Sequence, residues 1–170
     1  WACVSFALGN EAKAQIPNPT PVTITFGNTS SAYSEDFNTL PTTGTSSTLP
    51  TGWGFVETSS NATLYNSGTG SSNSGDTYSF GVAGTNALSD RALGTLLSGS
   101  NTYLIGAKFQ NTTGLQLVDV TITYRGEQWR LGATSREDRL DFQYSTSATA
   151  LNVGTFTDFD SLDFIAPRTA

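Results

Sequence analysis

The sequence predicts an all-β fold: a two-sheet antiparallel β-sandwich of the jelly-roll, lectin-like or glucanase-like kind. Three observations carry this expectation. Apolar and polar residues alternate with a period of two in most of the apolar runs, the pattern of strands with one buried and one wet face. Turn residues break the alternation every ~8–12 positions, the spacing of sandwiches and barrels. The composition is polar and charge-poor: 13% of the 170 residues are charged and 11% are aromatic. Ser and Thr make up roughly a quarter of the chain, and an average domain is about 25% charged. Aromatic and β-branched residues at this level separate the chain from a disordered one.

The elements follow in order. Residues 22–26 (VTITF) alternate and meet Gly27-Asn28, and residues 33–37 read as a short edge strand. Residues 38–52 form a Ser/Thr/Pro/Gly loop. WGFVE (53–57) is a strand, as is 62–65, and NSGTGSSNSGD (66–76) is a polar loop. Residues 77–82 and 91–97 read as strands, then 103–110 (YLIGAKFQ). The longest run is LQLVDVTITYR (115–125). Its Val118, Val120, Ile122 and Tyr124 share one face, while Asp119, Thr121, Thr123 and Arg125 share the other. Gly126 then shifts the parity, and a bulge there would return Trp129 and Leu131 to the core. In residues 138–145 Leu140, Phe142 and Tyr144 point inward. The last strand is 155–164. This gives about ten short strands joined by loops too short for crossover helices.

Several function classes are disfavoured. The net charge is −6 and the isoelectric point about 4.3, against the basic patch that nucleic-acid binding requires. No apolar run approaches the roughly 20 residues of a membrane helix. The chain has no His and one Cys, Cys3. This removes the Ser-His-Asp triad, the commonest metal ligand and any C-x-x-C zinc site.

The opening WACVSFALGNEAKAQ carries a short apolar run, with Ala12 and Ala14 at the −3 and −1 positions ahead of Gln15. That reads as residues 1–14 being the remnant of a secretory signal peptide, with a single domain over 15–170 in a secreted or cell-surface bacterial protein. The alternative is a short amphipathic helix packed on the domain. The terminal SLDFIAPRTA has no closing hairpin, so an incomplete domain is expected.

The ordered set LPTGWGFVE, GDTYSFG, RALGTLLSGS, IGAKFQNTTG, ITYRGEQWRLG and DRLDFQYS, spread from Asp36 to Phe164, resembles a group of bacterial secreted β-sandwich modules. Such modules occur in exported proteins with PEP-CTERM-type sorting tails and beside extracellular nuclease and adhesin-like proteins. GEQWR followed by DRLDFQYS is the most specific part. The resemblance implies a jelly-roll, lectin-like sandwich that is usually without an assigned activity, and it brings no catalytic residues.

The strongest candidate site is the charged cluster in the last third of the chain. Glu127, Gln128, Trp129, Arg130, Arg139 and Asp141 would form a sugar-binding face. There carboxylates accept sugar hydroxyls, Arg and Gln donate, and Trp129 stacks on a pyranose ring. The competing reading is a cross-strand ladder of ion pairs that sets register, with Trp129 in the core. Trp53 and Tyr65 are either a second stacking platform or buried anchors. Asp158 and Asp160 are the first candidates for calcium, although the EF-hand pattern fails for want of its Gly. Asp76 and the Glu35-Asp36 pair are weaker ones. The expectation is a non-catalytic exported module with a surface-binding or structural role and polysaccharide as ligand. The alternatives are a lectin-like glycoside hydrolase built on Glu57 and Glu127, which would have to converge, and a purely structural surface or sorting-associated protein.

Overall fold

A computed structural model describes residues 2–7, 19–20, 22–24, 32–57, 63–82, 90–99 and 101–169, with 2–7, 23 and 24 described by their backbone. The predicted cleavage site at Ala12, Ala14 and Gln15 lies outside the described residues, as do Phe26 to Asn28. The described residues form eleven strands and one short 3₁₀ turn, with no α-helix. The protein is all-β, with two open sheets that contribute to one core.

The first sheet is built on β8 (Tyr103–Asn111). Tyr103, Ile105 and Ala107 are all buried on one face, as a period of two requires. On one edge β8 pairs in parallel with β1 (Ala2–Ala7), which lies inside the stretch 1–14 that the sequence reads as a signal remnant. On the other it pairs antiparallel with β4 (Trp53–Glu57) and, further along, in parallel with β2 (Val22–Ile24). The far edge of β1 pairs in parallel with β9 (Arg139–Ser145). The outer edge of β9 is capped by β10 (Thr157–Asp158) and β11 (Phe164–Ile165). The second sheet has the order β3 (Thr45–Ser46), β5 (Tyr65–Gly68), β6 (Asp76–Gly81), β7 (Arg91–Leu96). Its β6–β7 ladder is antiparallel and its β5–β6 ladder parallel, so both sheets are mixed.

The core joins the two sheets. Phe55, Ile105 and Phe142 from the first meet Tyr65 and Leu93 from the second, with Leu40 from the intervening loop. The Phe55 and Tyr65 rings meet edge to face at 5.8 Å. Buried rings of this size supply much of the apolar area that drives association of the sheets. Arg91, 4% exposed, donates to the Ser79 hydroxyl at 2.7 and 3.0 Å and to the Pro41 carbonyl at 3.1 Å. These bonds hold β7 to β6 and to the loop before β3, while burial lowers the guanidinium pKa.

Several expectations are corrected. Residues 115–125 are not a strand: Val118 is 92% exposed and Val120 66%, while Ile122 packs on the core and the Tyr124 ring stacks on Phe142 at 6.2 Å. The reason is the edges. Both sides of β8 and both sides of β9 are already paired, so the run that connects them finds no free edge on either of the strands it joins. Residues 127–131 are likewise outside any strand, and Gly126 is no bulge. A side chain there would meet the Phe164 ring at 2.1 Å, so the glycine is a point of close approach. Residues 33–37 turn rather than extend: the Phe37 amide donates to Glu35 Oε1 at 2.8 Å, and Phe37 has φ 59°. Residues 66–68, expected in a loop, belong to β5. The single strand expected over 155–164 is instead β10, a 3₁₀ turn at Asp160–Leu162 and the start of β11. Tyr144 is exposed rather than inward, and its ring meets Phe159 edge to face at 6.3 Å.

Candidate functional site

The span after residue 125 forms one wall of a cleft of about 1750 Å³. Its local shape comes from close approaches and side-chain bonds, not from a ladder. Gly70, with φ +81°, would clash with the Trp129 carbonyl if it carried a Cβ. The loop of β5 therefore lies against the backbone of Trp129. Arg130 fastens the same contact by donating to the Gly70 carbonyl at 3.2 Å, to the Ser71 carbonyl at 3.3 Å and to Asn73 Oδ1. The Trp129 ring lies nearly parallel to Phe80, centroids 6.1 Å apart, and Phe80 stacks in turn on Tyr78 at 5.0 Å. Trp129 Nε1 donates to Glu127 Oε2 at 3.1 Å, and Arg125 pairs with Glu127 Oε1 at 3.2 Å. Glu127 is thus held between a guanidinium and an indole.

Of the six residues singled out for sugar binding, Glu127, Gln128, Trp129, Arg130 and Arg139 line this cleft, together with Trp53 and Tyr124. Their engagement differs. Gln128 forms a two-point clamp on the backbone of Arg168, donating to its carbonyl and accepting from its amide, both at 2.9 Å. Its amide is committed to holding the C-terminal segment. Asp141 pairs with Arg139 at 2.7 Å and is not among the cleft residues. Burial raises its pKa against the pull of Arg139. Asp163, which the sequence did not single out, ties this corner together. Its Oδ1 accepts from the Phe142 amide at 2.8 Å, and its Oδ2 lies 3.6 Å from Arg139.

The ion pairs do not form the expected cross-strand ladder. Among the described residues, Arg125–Glu127, Arg136–Asp138 and Arg139–Asp141 each join residues two apart in sequence, and Arg139–Asp163 bridges two segments. Side chains two apart in an extended run share a face, so an extended conformation suffices for such pairs.

The other candidates separate by burial. Tyr65 is fully buried and donates to the Thr48 carbonyl at 2.6 Å, so it is an anchor. Trp53 is half-buried against Phe37, with Nε1 donating to the Tyr33 hydroxyl at 2.9 Å. Glu35 and Asp36 each accept from the backbone amide two residues on, which is turn chemistry. Asp158 accepts from Gln143 at 2.7 Å and Asp160 is exposed in the 3₁₀ turn. Among the described residues no three His, Cys, Asp or Glu side chains gather as a metal site.

Glu57 and Glu127 do not converge. Glu127 faces the cleft, whereas Glu57, 1% exposed at the end of β4, accepts from the Thr77 amide at 2.7 Å. Its acidic neighbour is Asp76, at the start of β6 and 7% exposed. Asp76 Oδ2 accepts from Asn66 Nδ2. Burial first, then the charge and hydrogen bond of Glu57, push the Asp76 carboxyl up to about 6. Tyr103 stands directly opposite Glu57 in the β4–β8 ladder, and its hydroxyl is raised by burial and by both acids.

Comparison of the chain with protein-family models, with curated proteins and with solved structures finds no match.

Proposed function

We propose that this chain is an exported, non-catalytic β-sandwich module that binds polysaccharide through the cleft beside residues 125–139. The observation that carries the reading is the grouping of Trp129, Glu127, Arg130 and Arg139 along one cleft that also presents Trp53 and Tyr124. Aromatic faces suit the C–H side of a pyranose ring, and carboxylate and guanidinium groups suit its hydroxyls. The order of GEQWR and DRLDFQYS, which resembles secreted modules with sorting tails, supports export and a place at the cell surface. Hydrolysis is the less favoured reading. It needs two carboxyls about 5 to 9.5 Å apart across the scissile bond, and the Glu57–Glu127 pair does not meet in the cleft.

A screen of immobilised glycans tests the proposal. Saturable binding is expected, weakened about tenfold or more by Trp129→Ala. Because Trp129 also packs on Phe80, the isosteric Glu127→Gln is the companion variant, with folding checked by circular dichroism. Saturable binding to no glycan would overturn the reading and leave a structural surface role in front.

A further inference from the structure

A central position of the first sheet is filled by a segment that the proposed export removes. β1 lies between β8 and β9 and pairs with both in parallel, and it belongs to residues 1–14, which the sequence reads as a signal remnant. Val4 stands opposite Ile105 on one side and Phe142 on the other. Loss of β1 leaves two facing strand edges, one strand's width apart, with their amides and carbonyls unpaired. Such edges are costly when shielded from water and promote aggregation when exposed, so the folded chain needs a second occupant for the slot.

We propose that the slot between β8 and β9 is a strand-acceptor site, and that residues 117–125 take it, antiparallel to both neighbours, when β1 is removed. Those residues belong to the longest alternating run of the chain, and that run lies between the two strands that border the slot. A connection that passes between two parallel strands runs antiparallel to each, which is the pairing a short hairpin allows. A turn is already built at its start. Gly114 has φ 72°, the Asn111 side chain donates to the Leu115 carbonyl at 2.8 Å, and the Thr113 amide donates to Asn111 Oδ1 at 3.0 Å. A hairpin loop over residues 112–115 then sets the register. It places Val120 opposite Ala107, Ile122 opposite Ile105 and Tyr124 opposite Tyr103, so the apolar face of the run meets the buried face of β8. The same register puts Ile122 in the row of Val4, opposite Phe142, and sets Asp119 across from Lys108. The run already lies at that face: Ile122 packs on the core that Ile105 and Phe142 share, and the Tyr124 ring stacks on Phe142 at 6.2 Å.

Exchange changes more than one ladder. Residues 119–125 line the cleft, so their transfer into the sheet redraws the wall beside Glu127 and Trp129. Val118 and Val120, exposed while β1 is in place, gain neighbours on β8. The occupant of the slot therefore decides which shape the cleft has. The inference takes from the proposed function only the removal of residues 1–14. It needs no glycan, so its failure and the failure of sugar binding are read by separate measurements.

Proline variants of the full chain test this by thermal unfolding and hydrogen exchange. Val4→Pro removes a donor from β1 and stands in for its loss. Val120→Pro bars residues 117–125 from the slot, at a position that is exposed and outside any strand while β1 is in place. In the parent, Val120→Pro should shift Tm by about 2 °C or less. In the Val4→Pro background it should lower Tm by a further ~5–10 °C, or abolish the transition, because neither segment then fills the slot. Val4→Pro alone should stay cooperatively folded, with residues 117–125 gaining amide protection and a Tm independent of protein concentration. Equal shifts from Val120→Pro in the two backgrounds overturn the proposal. So does a Val4→Pro chain with no cooperative transition, since nothing then replaces β1. A Tm that rises with protein concentration overturns it as well and assigns the slot to a strand from a second copy.

Discussion

Residues 103–111 and residues 115–125 carry the same signal and meet different fates. Both alternate, both are rich in β-formers, and only a short NTTG turn region separates them. The first run is β8, paired along both edges and buried at Tyr103, Ile105 and Ala107. The second has no ladder and leaves Val118 and Val120 in solvent. Alternation therefore states what a segment is able to do, while a free edge decides whether it does it. β8 and β9 run parallel to each other with one strand, β1, between them. That gap is one strand wide, and it lies between the two elements that the second run connects.

The largest expected difference between the two runs is in packing. Ile105→Ala, at a site 3% exposed, should cost about 2–5 kcal/mol, while Val118→Ala should stay within about 0.5 kcal/mol. Urea midpoints of the two variants measure this directly. A cost at Val118 comparable to that at Ile105 would mean that the second run is packed after all.

The next test breaks the pairing. Val4 lies opposite both Ile105 and Phe142, so Val4→Pro removes a donor from the strand between β8 and β9, at about 3 kcal/mol. Hydrogen exchange should show residues 104–108 and 140–145 losing protection together. With an edge freed, residues 117–125 should gain protection, since their alternation suits a strand antiparallel to both neighbours. No gain there would show that a free edge is not enough.

The smallest effect belongs to the surface. Arg136→Ala breaks an exposed pair with Asp138 and should change stability by roughly 0–1 kcal/mol, less still at high salt. A larger loss would give these local pairs a role in holding the span that the ladder does not hold.

The candidate cleft was legible in part. Glu127, Trp129, Arg130 and Arg139 drew attention as charged and aromatic residues in one stretch, and they do line one cleft. Their partners were not legible. Phe80, Gly70, Asn73 and Asp163 lie far away in sequence, and only close packing reveals them. Glu57 was singled out for the wrong partner: spacing along the chain could not show that Asp76, rather than Glu127, is its acidic neighbour. One signal was available, because Asp76 opens a strand that is buried along its whole length, where a carboxyl must find a proton or a cation.

By itself the sequence determined the class of fold: period-two alternation and frequent turn residues leave few options besides stacked sheets, since they are local properties of the chain. It also determined the absence of His chemistry and the placing of β4, β6, β7, β8 and β9, each of which is a short apolar run that can bury one face or both. Tertiary structure decided which runs became strands, which edges were filled and which acids met. Hydrogen-bonding edges are a shared and limited resource, and competition for them depends on the whole fold and not on any one segment.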